Sequence, residues 1–369
     1  MTKHNVKNER IKRDYFAYLK EAKGRDEATI DGVAKALARF EDSTGRKDFG
    51  KLHREQAIAF KRKLASGLNA RTGERLSKAT MVSTMRHCRD FFLWLTREPG
   101  FRNRIAYSDA DYFNMSDKDV TISRARREKA VPTLDQVHHV LASMPAGTVV
   151  ERRNRALLAL TALTGARVSA LRSFRLQHVD VAMAYVDQDA RTVATKFAKT
   201  FRTYFTRIGG EAEAIVADWT RELLSDHLWG AEDPLFPATQ MGLDEAGGFR
   251  SAGITRKGWR TTQPINAIFR HAFEAAGLPY FNPHSFRHML VHYGMSLDLG
   301  PEAMKAWSQN LGHADVLTTF TSYGNVPTHR QGELIRSSIK RRDSEPSLVA
   351  QLEQLVASAR RHSTQAAGP

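Results

Sequence analysis

From Glu9 to Leu19 the apolar side chains Ile11, Tyr15, Phe16, Tyr18 and Leu19 recur at near-helical spacing between basic residues, which predicts a helix. A second helix follows, capped by Thr29 and carrying Ile30, Val33, Ala34, Leu37 and Phe40 up to the Ser43-Thr44-Gly45 turn signal. A third covers about 54–64. After the polar stretch from Asn69 to Ser77, Thr80 opens a fourth, with Met81, Met85, Cys88, Phe92 and Leu95 on one side and Pro99-Gly100 at its end. The first hundred residues therefore read as a small helical bundle. Residues 101–130 show no regular period and finish in the basic stretch from Ser123 to Lys129, whose latter part reads as an interdomain linker.

The pattern then restarts. Pro132-Thr133 begins a helix that runs to Met144, and the segment from Arg152 to Thr164 ends in an almost wholly apolar run from Ala156 to Leu163, as expected of a core helix. Between about Met183 and Ile208 β-branched and aromatic residues alternate with short turns, the signature of a small antiparallel sheet. Helical periodicity resumes at Ala212, and Ser347 is placed to cap a last amphipathic helix with Leu348, Leu352, Leu355 and Val356. The fold class is mainly α with one small antiparallel β-sheet. No repeat of fixed period and no low-complexity tract is present.

Charge adds a partner to this outline. The 369 residues carry a formal charge of +16, and residues 1–130 hold 30 Lys and Arg against 18 Asp and Glu, leaving only 26 against 22 for the rest. A polyanion fits such an excess, because each cation that meets a phosphate releases a condensed counterion. Arg71, Arg75, Lys78, Arg86 and Arg89, in and after the main loop of the first module, are candidate DNA contacts, as are Arg124, Arg126 and Arg127 in the linker. A single cysteine, Cys88, excludes an intrachain disulfide and a cysteine-rich zinc module, and fits a reducing cytoplasm. No apolar run approaches the roughly 20 residues of a membrane span, and the amino-terminal residues lack the apolar stretch of a signal peptide.

Four short strings carry chemistry: Thr164-Gly165-Ala166-Arg167, Lys199-Thr200, His284-Ser285-Phe286-Arg287, and Leu311-Gly312-His313 followed by Tyr323. In this order, in a basic two-module chain, they resemble the tyrosine recombinase, or phage integrase, family. The resemblance spans about residues 9–339 and is strongest at Arg167 and from His284 to Tyr323. It implies a helical core-binding (SAM-like) domain over 1–107, a linker over 108–130, a mixed α/β catalytic domain over 131–342 and a carboxy-terminal tail over 343–369. It further implies site-specific recombination or integration of DNA for a phage or mobile element, including transposition, by a homo-oligomer, a tetramer, on double-stranded DNA in the cytoplasm at the nucleoid. Accessory proteins are unspecified. A topoisomerase of similar chemistry and a catalytically silent DNA-binding regulator are the alternatives.

The residue chemistry is consistent with that constellation. Attack of a hydroxyl on a phosphodiester places extra negative charge on the non-bridging oxygens of a pentacoordinate phosphorus, which fixed cations must meet. Two guanidiniums, each a planar fork of donors, suit the task, so Arg167 and Arg287 are assigned as the clamp. Gly165 serves either as a helix terminator or as a point of close backbone approach. The resemblance gives proton handling to His284 and a hydrogen bond to a phosphate oxygen to His313. The leaving oxygen needs a mobile acid, and the string around Lys199 resembles the family's β-hairpin lysine, which makes Lys199 the first choice and Lys196 the alternative. Tyr323, in a polar segment, is the nucleophile that the resemblance implies; a phosphotyrosyl bond there would store the energy for rejoining, so no cofactor is expected.

His284, His288 and His292 share a helical spacing of four, which invites metal ligation. The general-base Glu of a zinc-protease helix is missing, however, and Arg287 would repel a cation, so no metal is expected. Two departures from the family stand out. Ala170 occupies a position three residues after the first arginine that often carries an acid, and Tyr323 follows His313 by ten residues, one more than the commonest spacing.

Overall fold

The computed structural model describes residues 4–69, 73–125, 130–243, 247–297, 299–313, 331–333 and 335–336. The chain divides into two compact units, Met1–Arg127 and Glu128–Pro369.

In the first unit, α1 (Val6–Ala17) passes through a π-helical turn, Tyr18–Ala22, and is followed by α2 (Glu27–Thr44), α3 (Arg54–Ser66) and α4 (Lys78–Leu95). Two helices start earlier than their sequence signals. Asp26, not Thr29, caps α2, its carboxylate accepting the Thr29 N–H at 2.7 Å, and Ser77 accepts the Thr80 N–H at 3.1 Å to begin α4. In each case the threonine is the third helical residue, whose orphan N–H a cap must satisfy. The core is aromatic: Phe40, Phe49, Phe60, Phe91, Phe92 and Phe113 are all buried and meet mostly edge to face. A polar knot sits beside it, where buried Asn8 donates to Glu41 Oε1 at 3.0 Å and Lys12 pairs with the same carboxylate at 2.6 Å.

The stretch assigned to the linker is built into this unit as far as Arg124. A 3-10 helix over Tyr107–Phe113 buries Ala110 and Phe113, and Phe113 stacks on Phe92 with ring centroids 5.4 Å apart. After it, α5 (Asp117–Arg124), capped by Ser116, is tied to the start of α4 by an ion pair of 2.6 Å between Lys78 and Asp119. α5 buries no side chain, which is why no apolar period marks it.

The second unit opens with α6 (Leu134–Ser143) and α7 (Val149–Thr164), each started by a reciprocal cap, Thr133 with Gln136 and Thr148 with Glu151. Every residue from Ala156 to Thr164 is buried, as its apolar run requires. A short α8 (Val168–Ser173) leads to β1 (Val179–Asp180), β2 (Tyr185–Gln188) and β3 (Phe201–Tyr204), an antiparallel sheet in that order, with Tyr185 opposite Tyr204 and Gln188 opposite Phe201. Helix α9 (Ala212–Ser225) packs on α7.

A second antiparallel ribbon, β4 (Pro237–Leu243) with β5 (Phe249–Gly258), has no counterpart in the hydrophobic pattern, because most of its residues are exposed and no face alternates. Buried Arg153 of α7 holds its base, donating to the Pro237 carbonyl at 2.8 Å and to Thr239 Oγ1 at 3.0 Å while lying over the Trp259 ring. The unit continues with α10 (Gln263–Ala275), α11 (Pro283–Ser296) and α12 (Pro301–Asn310). The architecture is mainly helical with small antiparallel sheets, the expected fold class.

Candidate active site

The site begins where α7 ends. Gly165 closes that helix in a left-handed conformation with φ of 57°, and a Cβ there would stand 3.2 Å from the Arg287 Cα and from Leu290 Cδ1. It is therefore both terminator and contact point, and glycine alone satisfies the two demands together. The turn delivers Arg167 to the N-cap position of α8. Arg287, on α11, is only 5% exposed and donates through Nη1 to the Gly165 carbonyl at 3.3 Å. Its Nη2 is buried with no hydrogen-bond partner among the described residues.

Burial and the neighbouring Arg167 charge together push the Arg287 guanidinium down to about 9, and burial also lowers Arg167. Both stay cationic at neutral pH. Among the described residues no carboxylate forms an ion pair with either, and buried Ala170 stands where the family often has an acid. A buried donor and two adjacent cations are costly to leave uncompensated. An anion with several acceptor oxygens removes that cost.

His313 comes to this cation pair from α12. Trp307 Nε1 donates to the Leu290 carbonyl at 3.1 Å and its ring fills the space left by Gly294, fastening α12 to α11. At the end of α12, Asn310 accepts the Tyr204 N–H at 2.6 Å and donates to the Tyr204 carbonyl at 2.9 Å, clipping the helix to β3. Gly312 then turns with φ of 65° against the Phe201 ring, where any Cβ would clash. His313 is half-buried. Burial first, then the charges of Arg287, Arg167, His288 and Lys199, lower it to about 4, so the imidazole is neutral at pH 7.

Lys199 comes from the loop before β3. The loop before β3 is anchored to the end of α8, where the Ala194 N–H donates to Ser173 Oγ at 2.8 Å and Val193 is buried. Lys199 is half-buried and close enough for its charge to act on His313, whereas Lys196 is exposed, with its ammonium 4.8 Å from the Phe197 ring centre. His284, the second residue of α11, is exposed and meets the His288 ring edge-on at 4.9 Å. His288, considered in the sequence only as a metal ligand, thus contacts His284 and acts electrostatically on His313. Among the described residues no three His, Cys, Asp or Glu side chains form a metal-ligand group.

Arg167, Lys199, Arg287 and His313 are thus brought together, with His284 at the rim. Tyr323 lies outside the described residues, as do Arg71, Arg126, Arg127 and the helix expected after Ser347. Asn310, Phe201 and His288 were missed by sequence reasoning; only His288 had a signal, its place directly after Arg287.

Of the other candidate contacts, Arg86, Arg89 and Arg124 line one groove of about 670 Å³ between α4 and α5 in the first unit. Arg86 and Arg124 are exposed, while Arg89 lies 3.7 Å from Asp111. Lys78 is held by Asp119, and Arg75 is exposed in an isolated bridge to Leu68.

Fold and site together define a mainly helical unit that gathers two guanidiniums, a lysine and an imidazole into one cationic cluster able to hold an anion. No protein-family model matches the chain. A tyrosine recombinase XerC of Xylella fastidiosa (strain M23) is 23% identical over 318 residues, covering 84% of this chain and 90% of that protein. A tyrosine recombinase XerD of Neisseria meningitidis serogroup A is 26% identical over 275 residues, 71% of this chain and 78% of its own length. Among solved structures, a lambda integrase dimer bound to a COC′ core site superposes with a TM-score of 0.58 at 12% identity, covering 86% of this chain and 97% of that one. The Tn1549 transposon integrase in complex with transposon right end DNA gives 0.51 at 13% identity, with 90% and 99% covered. The chain is similar in sequence to tyrosine recombinases and shares the fold of the two integrase structures.

Proposed function

We propose that this protein is a site-specific recombinase of a phage or mobile element, acting by transesterification at the cationic hole. Tyr323 attacks the scissile phosphate, giving a 3′-phosphotyrosyl link and a free 5′-hydroxyl. Arg167 and Arg287 take the non-bridging oxygens, His313 donates a hydrogen bond to one of them, His284 assists proton transfer, and Lys199 protonates the departing oxygen. Rejoining reverses these steps with a new 5′-hydroxyl and needs no cofactor.

The observation that carries this reading is the buried, unpartnered Nη2 of Arg287 beside a second guanidinium with no acid to neutralise either. A purely structural arginine acquires a full set of acceptors, as Arg153 does in the same unit. Duplex DNA is the substrate, gripped by the first unit over 1–107 and continuing through α5, with Arg86 and Arg124 on the phosphate backbone and Arg71, Arg75, Arg89, Arg126 and Arg127 as further candidates. The working form is a homo-oligomer on DNA in the cytoplasm, in keeping with relatives solved as dimers and complexes on DNA. No described helix is long and apolar enough to cross a membrane.

Covalent capture tests the reading. Nicked duplexes drawn from a randomised library trap the wild-type protein as an adduct, because the short strand beyond the cut diffuses away, and Tyr323→Phe traps none. Specific binding without any adduct would make the protein a silent DNA-binding regulator, and relaxation of plasmid with no captured site would make it a topoisomerase.

A further inference from the structure

Between the anchored Val193 and the first residue of β3, the loop carrying Lys199 presents a side chain that folding does not use. Phe197 is 79% exposed and belongs neither to the buried core of its unit nor to the apolar residues packed against it. Its backbone lies in the left-handed region, φ 61° and ψ 29°, and Ala198 follows with φ of 49°. Residues with a Cβ are disfavoured there, and glycine or asparagine is the ordinary choice when only a turn is needed. Strain and exposure of a large aromatic ring at one position mark a side chain kept for a contact outside the fold.

The surroundings say what it contacts. The Lys196 ammonium lies 4.8 Å from the centre of the Phe197 ring, so the loop tip is an aromatic face edged with positive charge. The nearby acids are spoken for: Asp189 pairs with Arg191 and Asp187 with Arg202. Two residues further on, Lys199 joins the phosphate hole. Two residues of chain span at most about 7 Å, and adjacent base pairs are about 3.4 Å apart, so a ring two positions from a residue at the scissile phosphate lies within one or two base steps of it.

We infer that Phe197 is a DNA-contacting wedge that lodges against the base step beside the scissile phosphate and loosens its stacking, while Lys196 meets the adjoining backbone. This rests on the reading of Lys199 as the group facing the leaving oxygen. Apolar side chains placed between base steps partly unstack them, and stacking on an aromatic ring tolerates any base because every base has a π-face. The contact would set the register of the cleaved step, with Lys199 carried into place by the same short loop.

The probe is the nicked duplex captured by the wild-type protein, with 2-aminopurine next to the cut. In the Tyr323→Phe protein, which binds without cutting, fluorescence rises on binding, and adding Phe197→Gly removes the rise. In the cleavable protein, Phe197→Gly slows adduct formation by about tenfold to a hundredfold, the size of one lost base–aromatic stack. Phe197→Trp stays near wild type. Glycine relieves the left-handed backbone, so the melting temperature is unchanged or higher and the loss is not unfolding.

Replacing the bridging 5′ oxygen of the probe by sulfur, which leaves without a proton, restores cleavage to Lys199→Ala but not to Phe197→Gly. Wild-type fluorescence and cleavage in Phe197→Gly would overturn the inference, as would rescue by sulfur, which would reduce Phe197 to a support for Lys199. An adduct formed by Tyr323→Phe would instead overturn the proposed function, and the fluorescence difference would still decide the role of Phe197.

Discussion

The two units hold their positive charge in opposite ways. The first carries most of the chain's excess, yet that charge is spread over solvated helices and repeatedly met by acids: Lys12 by Glu41, Lys78 by Asp119, Arg46 by Asp42. The second unit is nearly balanced in composition but concentrates Arg167, Arg287 and Lys199 around His313, with Arg287 almost wholly buried. Dispersed, hydrated charge gives affinity and on-rate for a polyanion. Desolvated, fixed charge gives transition-state stabilisation, because it acts at low dielectric and needs no reorganisation during the reaction. Net charge therefore points to the first unit and misses the cation cluster of the second.

The largest effect expected from this contrast is at Arg287. Arg287→Met removes a buried uncompensated cation, so the melting temperature rises while the rate of covalent adduct formation falls by about a hundredfold to a thousandfold, as for loss of one oxyanion donor. Thermal melting and adduct gels on the same preparation read both. A stable variant that cleaves as fast as wild type would erase the distinction between the units.

A smaller change is expected in the first unit. The double variant Arg86→Ala, Arg124→Ala lowers affinity for any duplex and reduces the slope of log affinity against log salt by about 2, one phosphate contact for each arginine, without altering the rate of adduct formation at saturating DNA. A fluorescence titration across salt concentrations measures it. An unchanged slope would remove these residues from the interface.

The smallest concerns pH. His313 is held at about 4 in the folded protein against 6.5 for the free side chain, so between these values the unfolded chain binds the proton that the folded chain refuses. Stability without DNA accordingly falls as pH drops from 6.5 towards 4. His313→Gln loses this part of the dependence, and the difference between the two melting curves should close above pH 6.5. Bound DNA, by adding phosphate charge, shifts His313 upward and narrows the difference. A pH-independent gap would mean that the imidazole does not feel the arginine pair.

Much of this was readable in one dimension. The Ala156 to Leu163 run announces a core helix, Pro283 with His284 and Arg287 announces a helix start with two candidate site residues on one face, and Gly165 before Arg167 announces a bend. These signals are local: they depend on period, capping and the conformational freedom of single residues. The stretch read as a linker over 108–130 contains helical segments that showed no period, for the corresponding reason. Its helices are held by Ala110, Phe113 and one ion pair, too few anchors to show a period. The β4–β5 ribbon left no trace either, since exposed strands bonded mainly to each other need no apolar alternation.

By itself the amino-acid sequence determined which residue types were available, roughly where most helices lie, and that a basic chain with two arginines, two histidines, a lysine and a tyrosine in this order resembles the tyrosine recombinases. Only tertiary structure decided that the charge of Lys199 acts on His313, that Asn310 and Phe201 seat the turn carrying it, and that Arg287 is buried without a full set of acceptors. The reason is that burial, pairing and electrostatic neighbourhood belong to residues distant in sequence. Gly165 and Arg287 lie 122 positions apart, and their contact creates the desolvated charge on which the proposed chemistry turns.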